Sequence, residues 1–296
     1  MRIKEWFLLL LESGPSYGYF AEPSKSVVVV KDRYFCEAQR LFAEMDVAVV
    51  VASRFLGGCV GRESEVHAFV RSKVESWVVC VERLAKAART YPQLAYAAFT
   101  HSLSCEWTYL QRVVTGCDDE YIPLRNVIQR VFTPALLGRE ILQSEHELFA
   151  LPAKKGGLAL SDPVATAAAA YRVSLAATSV LQEAVRTGAN VTMAEHYAQC
   201  KTVTTAWLKE KEAEQTSRFE QLLADMPVAT QRTLRRIVKG EASGWLSVLP
   251  LQADGYDLSA TLFRDQLAIR YHYEPLGLPA ACDGCGASFS LQPTWP

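Results

Sequence analysis

Short β-branched runs near the start of the chain give way to long stretches in which apolar residues recur every three to four positions. Residues 26–31 contain four consecutive valines, and Val47–Val51 and Phe55–Val60 are two further runs that favour strands. From Glu63 to about residue 90 the apolar spacing is that of one long helix. The pattern predicts an α+β fold, with a small antiparallel sheet followed by a mainly α-helical body.

Proline, glycine and capping residues indicate several later boundaries. A helix near Leu124–Phe132 is predicted to end at Thr133-Pro134. Residues 151–162 read as a Gly-rich basic loop, after which Asp162 is expected to cap an Ala-rich helix that starts with Pro163.

The composition is that of a folded, water-soluble protein. Of 296 residues, 50% are hydrophobic and 21% charged, and the formal net charge of −1 gives no bulk support for nucleic-acid binding. The apolar run from Trp6 to Leu11 is too short for a signal sequence or a membrane span. Six of the eight cysteines have no close partner, as in a reducing compartment. An intracellular protein that is not secreted and has no membrane partner is expected.

A series of short segments stands out in order along most of the chain. They are Gly14–Phe20, Glu22–Ser26, Arg54–Gly58, Tyr91–His101, Trp107–Leu110, Leu151–Ala153 with Gly156–Leu158, Trp245–Ser247, Leu249–Leu251, Phe263–Asp265 and Cys282–Gly286. Together they resemble the reverse transcriptases of non-LTR (LINE-type) retrotransposons. The resemblance implies four parts: the C-terminal part of the palm at 1–62, a helical thumb-like domain at 63–190, a C-terminal helical region at 191–275 and a truncated zinc-knuckle-like tail at 276–296.

The resemblance also implies site residues near the start of the chain. Lys25 would lie beside the polymerase active site, as a general acid for departing pyrophosphate, or it is an ordinary surface lysine. The second group would be a hairpin that grips the primer end, or an ordinary β-hairpin, with glycines that allow close backbone approach. Its residues are Arg54, Phe55, Leu56, Gly57 and Gly58.

Three further groups of basic residues are candidates for contacts with nucleic-acid phosphates. Lys73 lies on the long helix, Lys154 and Lys155 precede two glycines, and the third group, Arg232, Arg235 and Arg236, forms the most basic helical stretch. Each group is also compatible with a plain solvated surface.

The resemblance implies two kinds of metal site, one for Mg²⁺ and one for Zn²⁺. Polymerases of this family hold Mg²⁺ with clustered carboxylates, and those aspartates are expected in an upstream half that is absent here. Asp118-Asp119 reads instead as a solvated turn. Cys282 and Cys285 form a CxxC half-site for Zn²⁺, to which His272 could add a ligand.

The functional expectation is a fragment of an RNA-directed DNA polymerase, nuclear if it acts as a retrotransposon protein. It would hold an RNA/DNA template–primer duplex without the catalytic aspartates, and its partner would be the missing N-terminal palm and fingers portion. The alternatives are a catalytically inactive, reverse-transcriptase-derived helical protein that binds nucleic acid or protein, and a gene remnant without function.

Overall fold

The protein is mainly helical, with its few strands near the start of the chain. The structure is a computed structural model that describes residues 2–275 and 277–288. It is 68% helical, and its strands form two small sheets, which confirms the predicted α+β class. The chain divides into two compact units, Met1–Lys73 (unit 1) and Val74–Pro296 (unit 2), with the boundary inside one long helix.

Unit 1 carries the described strands. Its helices are α1 Arg2–Ser13, α2 Phe35–Phe42 and the first part of α3 Glu63–Ala88, and its strands are β1 Val27–Val29, β2 Ala48–Val50, β3 Ala52–Phe55 and β4 Gly58–Gly61. β3 and β4 pair antiparallel, as predicted, but β1 and β2 pair in parallel. The intervening α2 supplies the long crossover that parallel pairing requires.

The run at Phe55–Val60 is not one strand, because the chain reverses inside it, where a hairpin was expected at Arg54–Gly58. Leu56 and Gly57 form the two-residue turn of the β3–β4 hairpin, with φ of 45° and 82°. Positive φ at both central residues is the type I′ pattern, whose twist matches the flanking strands.

Unit 2 contains the rest of α3 and the remaining helices. These are α4 Pro92–Ala98, α5 Ser104–Val113, α6 Ile122–Val127, α7 Thr133–Leu137, α8 Gln143–Ala150, α9 Pro163–Ala177, α10 Ser179–Thr187, α11 Met193–Ala224, α12 Val228–Lys239 and α13 Ala260–Tyr271. No single helix among the described residues is long and apolar enough to cross a membrane, although α9 and α10 together, bent by 58°, reach that length and composition.

The predicted helix end at Thr133-Pro134 is also wrong. A π-helical turn, Ile128–Phe132, joins α6 to α7, and the helix continues until Gly138 adopts φ of 72°. The Thr133 hydroxyl donates to the Ile128 carbonyl at 2.8 Å. The wider π turn thus accommodates Pro134, which has no N–H to offer.

An aromatic cluster forms the centre of unit 2. The ring of Phe99 stacks on Phe132 with centroids 4.7 Å apart and lies 5.6 Å from Trp107. Trp107 meets Trp77 edge-on at 6.1 Å, and the Trp77 indole N–H donates to Glu106 at 2.7 Å. The indole N–H therefore has a hydrogen-bond acceptor although its ring is buried. These contacts fix α3, α5 and the π-helical turns Phe99–Leu103 and Ile128–Phe132 to one another.

Candidate nucleic-acid interface

The Gly-rich loop at residues 151–162 is folded tightly back onto the end of α8. Leu158 and Leu160 both donate their amides to the Phe149 carbonyl, at 3.1 and 3.0 Å. A Cβ on Gly157 would lie 1.9 Å from the Leu151 carbonyl oxygen, far inside van der Waals contact. The loop therefore has one backbone path, and glycine is the only residue that fits at its closest approach.

Two buried polar side chains from distant helices hold this loop. Arg270 of α13 is 4% exposed and donates to the carbonyls of Ala153, at 2.9 Å, and Gly157, at 3.4 Å. The Tyr96 hydroxyl of α4 donates to the Leu158 carbonyl at 3.0 Å, and burial raises the pKa of Tyr96, so it remains a neutral donor. Together these two side chains supply hydrogen-bond donors for loop carbonyls that are buried away from water.

The two lysines of the loop have different roles. Lys155 Nζ lies 3.3 Å from Glu212 and 3.0 Å from the Thr216 hydroxyl, both on α11. Lys154 lies 3.9 Å from the same carboxylate, and its side chain is 71% exposed. Lys155 therefore attaches the loop to α11, whereas Lys154 remains open to an external anion.

Helix α12 lies beside this loop. A Cβ on Gly156 would be 3.0 Å from Phe219 of α11 and 3.6 Å from Val238 of α12. Leu234 is buried, and the basic residues occupy the outer face of the helix, called here the basic face of α12: Arg232, Arg235, Arg236 and Lys239. Arg235 pairs with Glu220 at 2.8 Å. Within the described residues, Arg232 and Arg236 show no ion pair.

The candidate residues of unit 1 lie on its surface. Lys25 ends a 3₁₀ turn and pairs with Glu22 at 2.8 Å, with its side chain 77% exposed. At the hairpin tip Phe55 and Leu56 are 63% and 77% exposed, and Arg54 places its guanidinium 5.3 Å from the centre of the Phe69 ring. Gly57 lies in the turn, Gly58 is buried and Lys73 is exposed on α3.

The described residues do not fit a two-metal polymerase centre. Among them, no group of three or more His, Cys, Asp or Glu residues could hold a metal ion. Asp118 and Asp119 lie in a 3₁₀ turn, Asp118–Tyr121, rather than at a β-hairpin.

Cys282 and Cys285 lie on a short turn near the end of the described chain. Gly286 N donates to Cys282 O, and Cys282 N donates to Ala287 O, each at 2.8 Å. Backbone hydrogen bonds from Cys285 and Gly284, and one from the Cys285 thiol, lower the pKa of Cys282. The two cysteines supply two ligands, whereas a structural zinc site takes four. His272 does not form a metal-binding group with them. Of the predicted tail, residues 276 and 289–296 lie outside the described residues.

Sequence reasoning missed the buried and half-buried polar residues that connect the elements of unit 2. Gln93 donates to the Tyr256 carbonyl at 3.0 Å and accepts from the Leu258 amide at 2.6 Å. Arg264 donates to backbone carbonyls at the ends of α3 and α7, including Ala88 at 2.9 Å. Their partners lie more than a hundred residues away, so no local pattern could have identified them.

Comparison of the chain with protein-family models, with curated proteins and with solved structures found no match.

Proposed function

We propose that this chain holds a template–primer duplex as part of a reverse transcriptase of the non-LTR kind. The observation that supports this is that segments carrying the resemblance, although far apart in sequence, pack together in unit 2. Tyr96 lies 6.2 Å from Phe263 between ring centroids and donates to the Leu158 carbonyl, and Trp245 lies 5.7 Å from Phe263. These segments form one packed body, as the resemblance requires.

The holding role rests on exposed cations and on an exposed hairpin tip. Lys154 and the basic face of α12 present ammonium and guanidinium groups to solvent, and these bind phosphate without regard to sequence. Phe55 and Leu56 would contact the primer end, where apolar side chains can pack against sugar and base. Each of these two groups, the cations of unit 2 and the hairpin tip of unit 1, would contact a duplex without a metal of its own.

Polymerisation would need carboxylates from a palm and fingers portion, which is the partner that we propose. The purified chain should therefore incorporate no deoxynucleotide on a primed RNA template in the presence of Mg²⁺. Measurable incorporation would refute this part of the proposal.

Duplex binding tests the proposal directly. The dissociation constant for a fluorescein-labelled RNA–DNA duplex of about 20 base pairs is measured by anisotropy from about 50 to about 300 mM NaCl. Each phosphate contact contributes about 0.9 to the slope of log K against log salt, so Arg232→Gln with Arg236→Gln should lower that slope by about 2. Arg172→Gln, an exposed arginine on α9, is the matched control. Absent or salt-independent wild-type binding, or equal slopes for variant and control, would refute the proposal.

A second candidate function, binding of a protein partner, is favoured by the surface of unit 1. Trp6, Tyr17, Phe20 and Phe55 are all largely exposed in a unit with few buried apolar residues. Trp6→Ser with Phe20→Ser should reduce binding of an apolar dye and leave duplex binding unchanged. Unchanged dye binding would argue against this surface as a docking site.

A further inference from the structure

A polar cleft in unit 2 lies apart from the basic face of α12. It has a volume of about 340 Å³ and is bounded by α6, the π-helical turn after it, α8 and the end of the Gly-rich loop. That volume is at the lower end of the ~300–1,000 Å³ of small-molecule sites. Eight of its ten lining side chains are polar, and none of the ten is Phe, Tyr or Trp.

The charges around the cleft leave one cation unmatched. Glu147 is paired with Arg218 of α11, and Asp162 accepts from the Val164 amide at 2.9 Å and lies 4.0 Å from Arg125. Arg130 is exposed and, among the described residues, shows no ion pair. Arg125 and Arg130 of the lining, with Arg218 paired to Glu147 beside it, give three guanidinium groups against two carboxylates, and this net positive charge favours an anion.

The neutral groups of the cleft suit the same ligand. Burial lowers the pKa of His146, which the nearby charge of Glu145 partly offsets, so the imidazole is uncharged near neutral pH and can donate or accept. Asn126, Gln129 and Gln143 add amides, and these show no hydrogen-bond partner among the described residues. Amides beside arginine match a phosphate joined to a sugar, and His146 is the single aromatic ring of the lining, so the sugar phosphate rather than a stacked base should supply most of the contacts.

We infer that this cleft binds a phosphate group attached to ribose or deoxyribose, with Arg130 and Arg125 as its cationic contacts. The phosphate could belong to a free nucleotide or to a polynucleotide backbone. The inference stands on the cleft alone and does not depend on the proposed duplex holding.

Binding of adenosine monophosphate and of a single-stranded RNA of about ten nucleotides tests the inference by titration calorimetry of the full chain. Arg130→Gln should weaken binding of whichever probe occupies the cleft by about tenfold, Arg130→Lys should weaken it less, and Arg172→Gln should leave it unchanged. Because Arg130 is exposed and unpaired, its replacement should not affect folding, which thermal unfolding checks.

The two probes separate the sources of the phosphate. Binding of the mononucleotide that inorganic phosphate displaces indicates a free nucleotide, whereas binding of the RNA alone, weakened by Arg130→Gln, indicates a backbone phosphate. Failure of both probes to bind, or binding that Arg130→Gln leaves unchanged, would overturn the inference. The outcome of this test does not depend on whether the chain shows salt-dependent duplex binding at α12. The cleft inference and the proposed function can therefore fail separately.

Discussion

Gly157 is the position at which the addition of a single methyl group should lower the stability of the fold most. In Gly157→Ala the new Cβ would lie 1.9 Å from the Leu151 carbonyl oxygen, about 1.5 Å short of the 3.4 Å at which ordinary contact begins. The next atoms it would meet are also backbone, at 2.5 and 2.6 Å, so no side chain can turn away to relieve the clash. The loop itself must move by more than an ångström.

That movement breaks hydrogen bonds whose loss can be estimated. The amides of Leu158 and Leu160 donate to Phe149 O at 3.1 and 3.0 Å, and Ala159 N donates to Leu151 O at 2.8 Å. At about 1 kcal/mol each, with Leu158 also displaced from the core, the loss is about 3 kcal/mol or more. For a unit of this size that corresponds to a fall of roughly 6–12 °C in Tm.

Thermal and urea unfolding followed by circular dichroism measure this loss against Gly244→Ala. A Cβ at Gly244 would meet nothing within 4 Å, so this variant should remain within about 1 kcal/mol of the wild type. Gly157→Ala should also weaken the proposed duplex binding, because Lys154 is displaced with the loop. If the two alanine variants unfold at the same temperature, the described path of the loop is wrong.

Three other predictions follow from single side chains. Arg264→Met should lower the free energy of unfolding by about 2 kcal/mol, because carbonyls at the ends of α3 and α7 lose their hydrogen-bond donor. An unfolding free energy in urea equal to that of the control Arg172→Met would contradict this. Burial raises the pKa of Glu145, but hydrogen bonds led by that from Arg139 outweigh it, so the pKa lies below its usual 4.5. The ionised carboxylate therefore stabilises the fold above about pH 4.5, and this contribution is lost as the pH falls. Glu145→Gln should thus be less stable than the wild type at pH 7, by a margin that shrinks in acid; a margin independent of pH would count against it. Leu56→Asn should raise stability by up to about 1 kcal/mol in urea denaturation, because Asn tolerates positive φ; a loss of stability would contradict the turn.

Elements whose signals are local could be predicted closely. The long helix expected from Glu63 to about residue 90 is α3, Glu63–Ala88. Asp162 caps α9 as expected, with its carboxylate accepting from the Val164 amide. In both cases the information lies within a few turns of the chain, as apolar spacing or as one capping oxygen.

The errors arose where two rules competed at one position. At Phe55–Val60 the apolar residues favour extended structure, but Gly57 and the short span between facing strands require a turn. At Pro134 the missing N–H predicts a helix end, but the π-helical turn before it removes the need for that hydrogen bond. Composition alone could not show which effect would prevail.

The candidate interface could be predicted only in part, for a similar reason. Lys154, Lys155 and Gly156 stand out by composition, whereas Arg270, which fixes their loop, lies 117 residues beyond Ala153 on α13. A buried guanidinium needs several acceptors at once, and the loop supplies carbonyls only when α13 is docked against it. The presentation of Lys154 is therefore coupled to the packing of α13. If the proposed nucleic-acid binding exists, substitutions in α13 should weaken it by releasing the loop, even though they remove none of the proposed contacts with the nucleic acid.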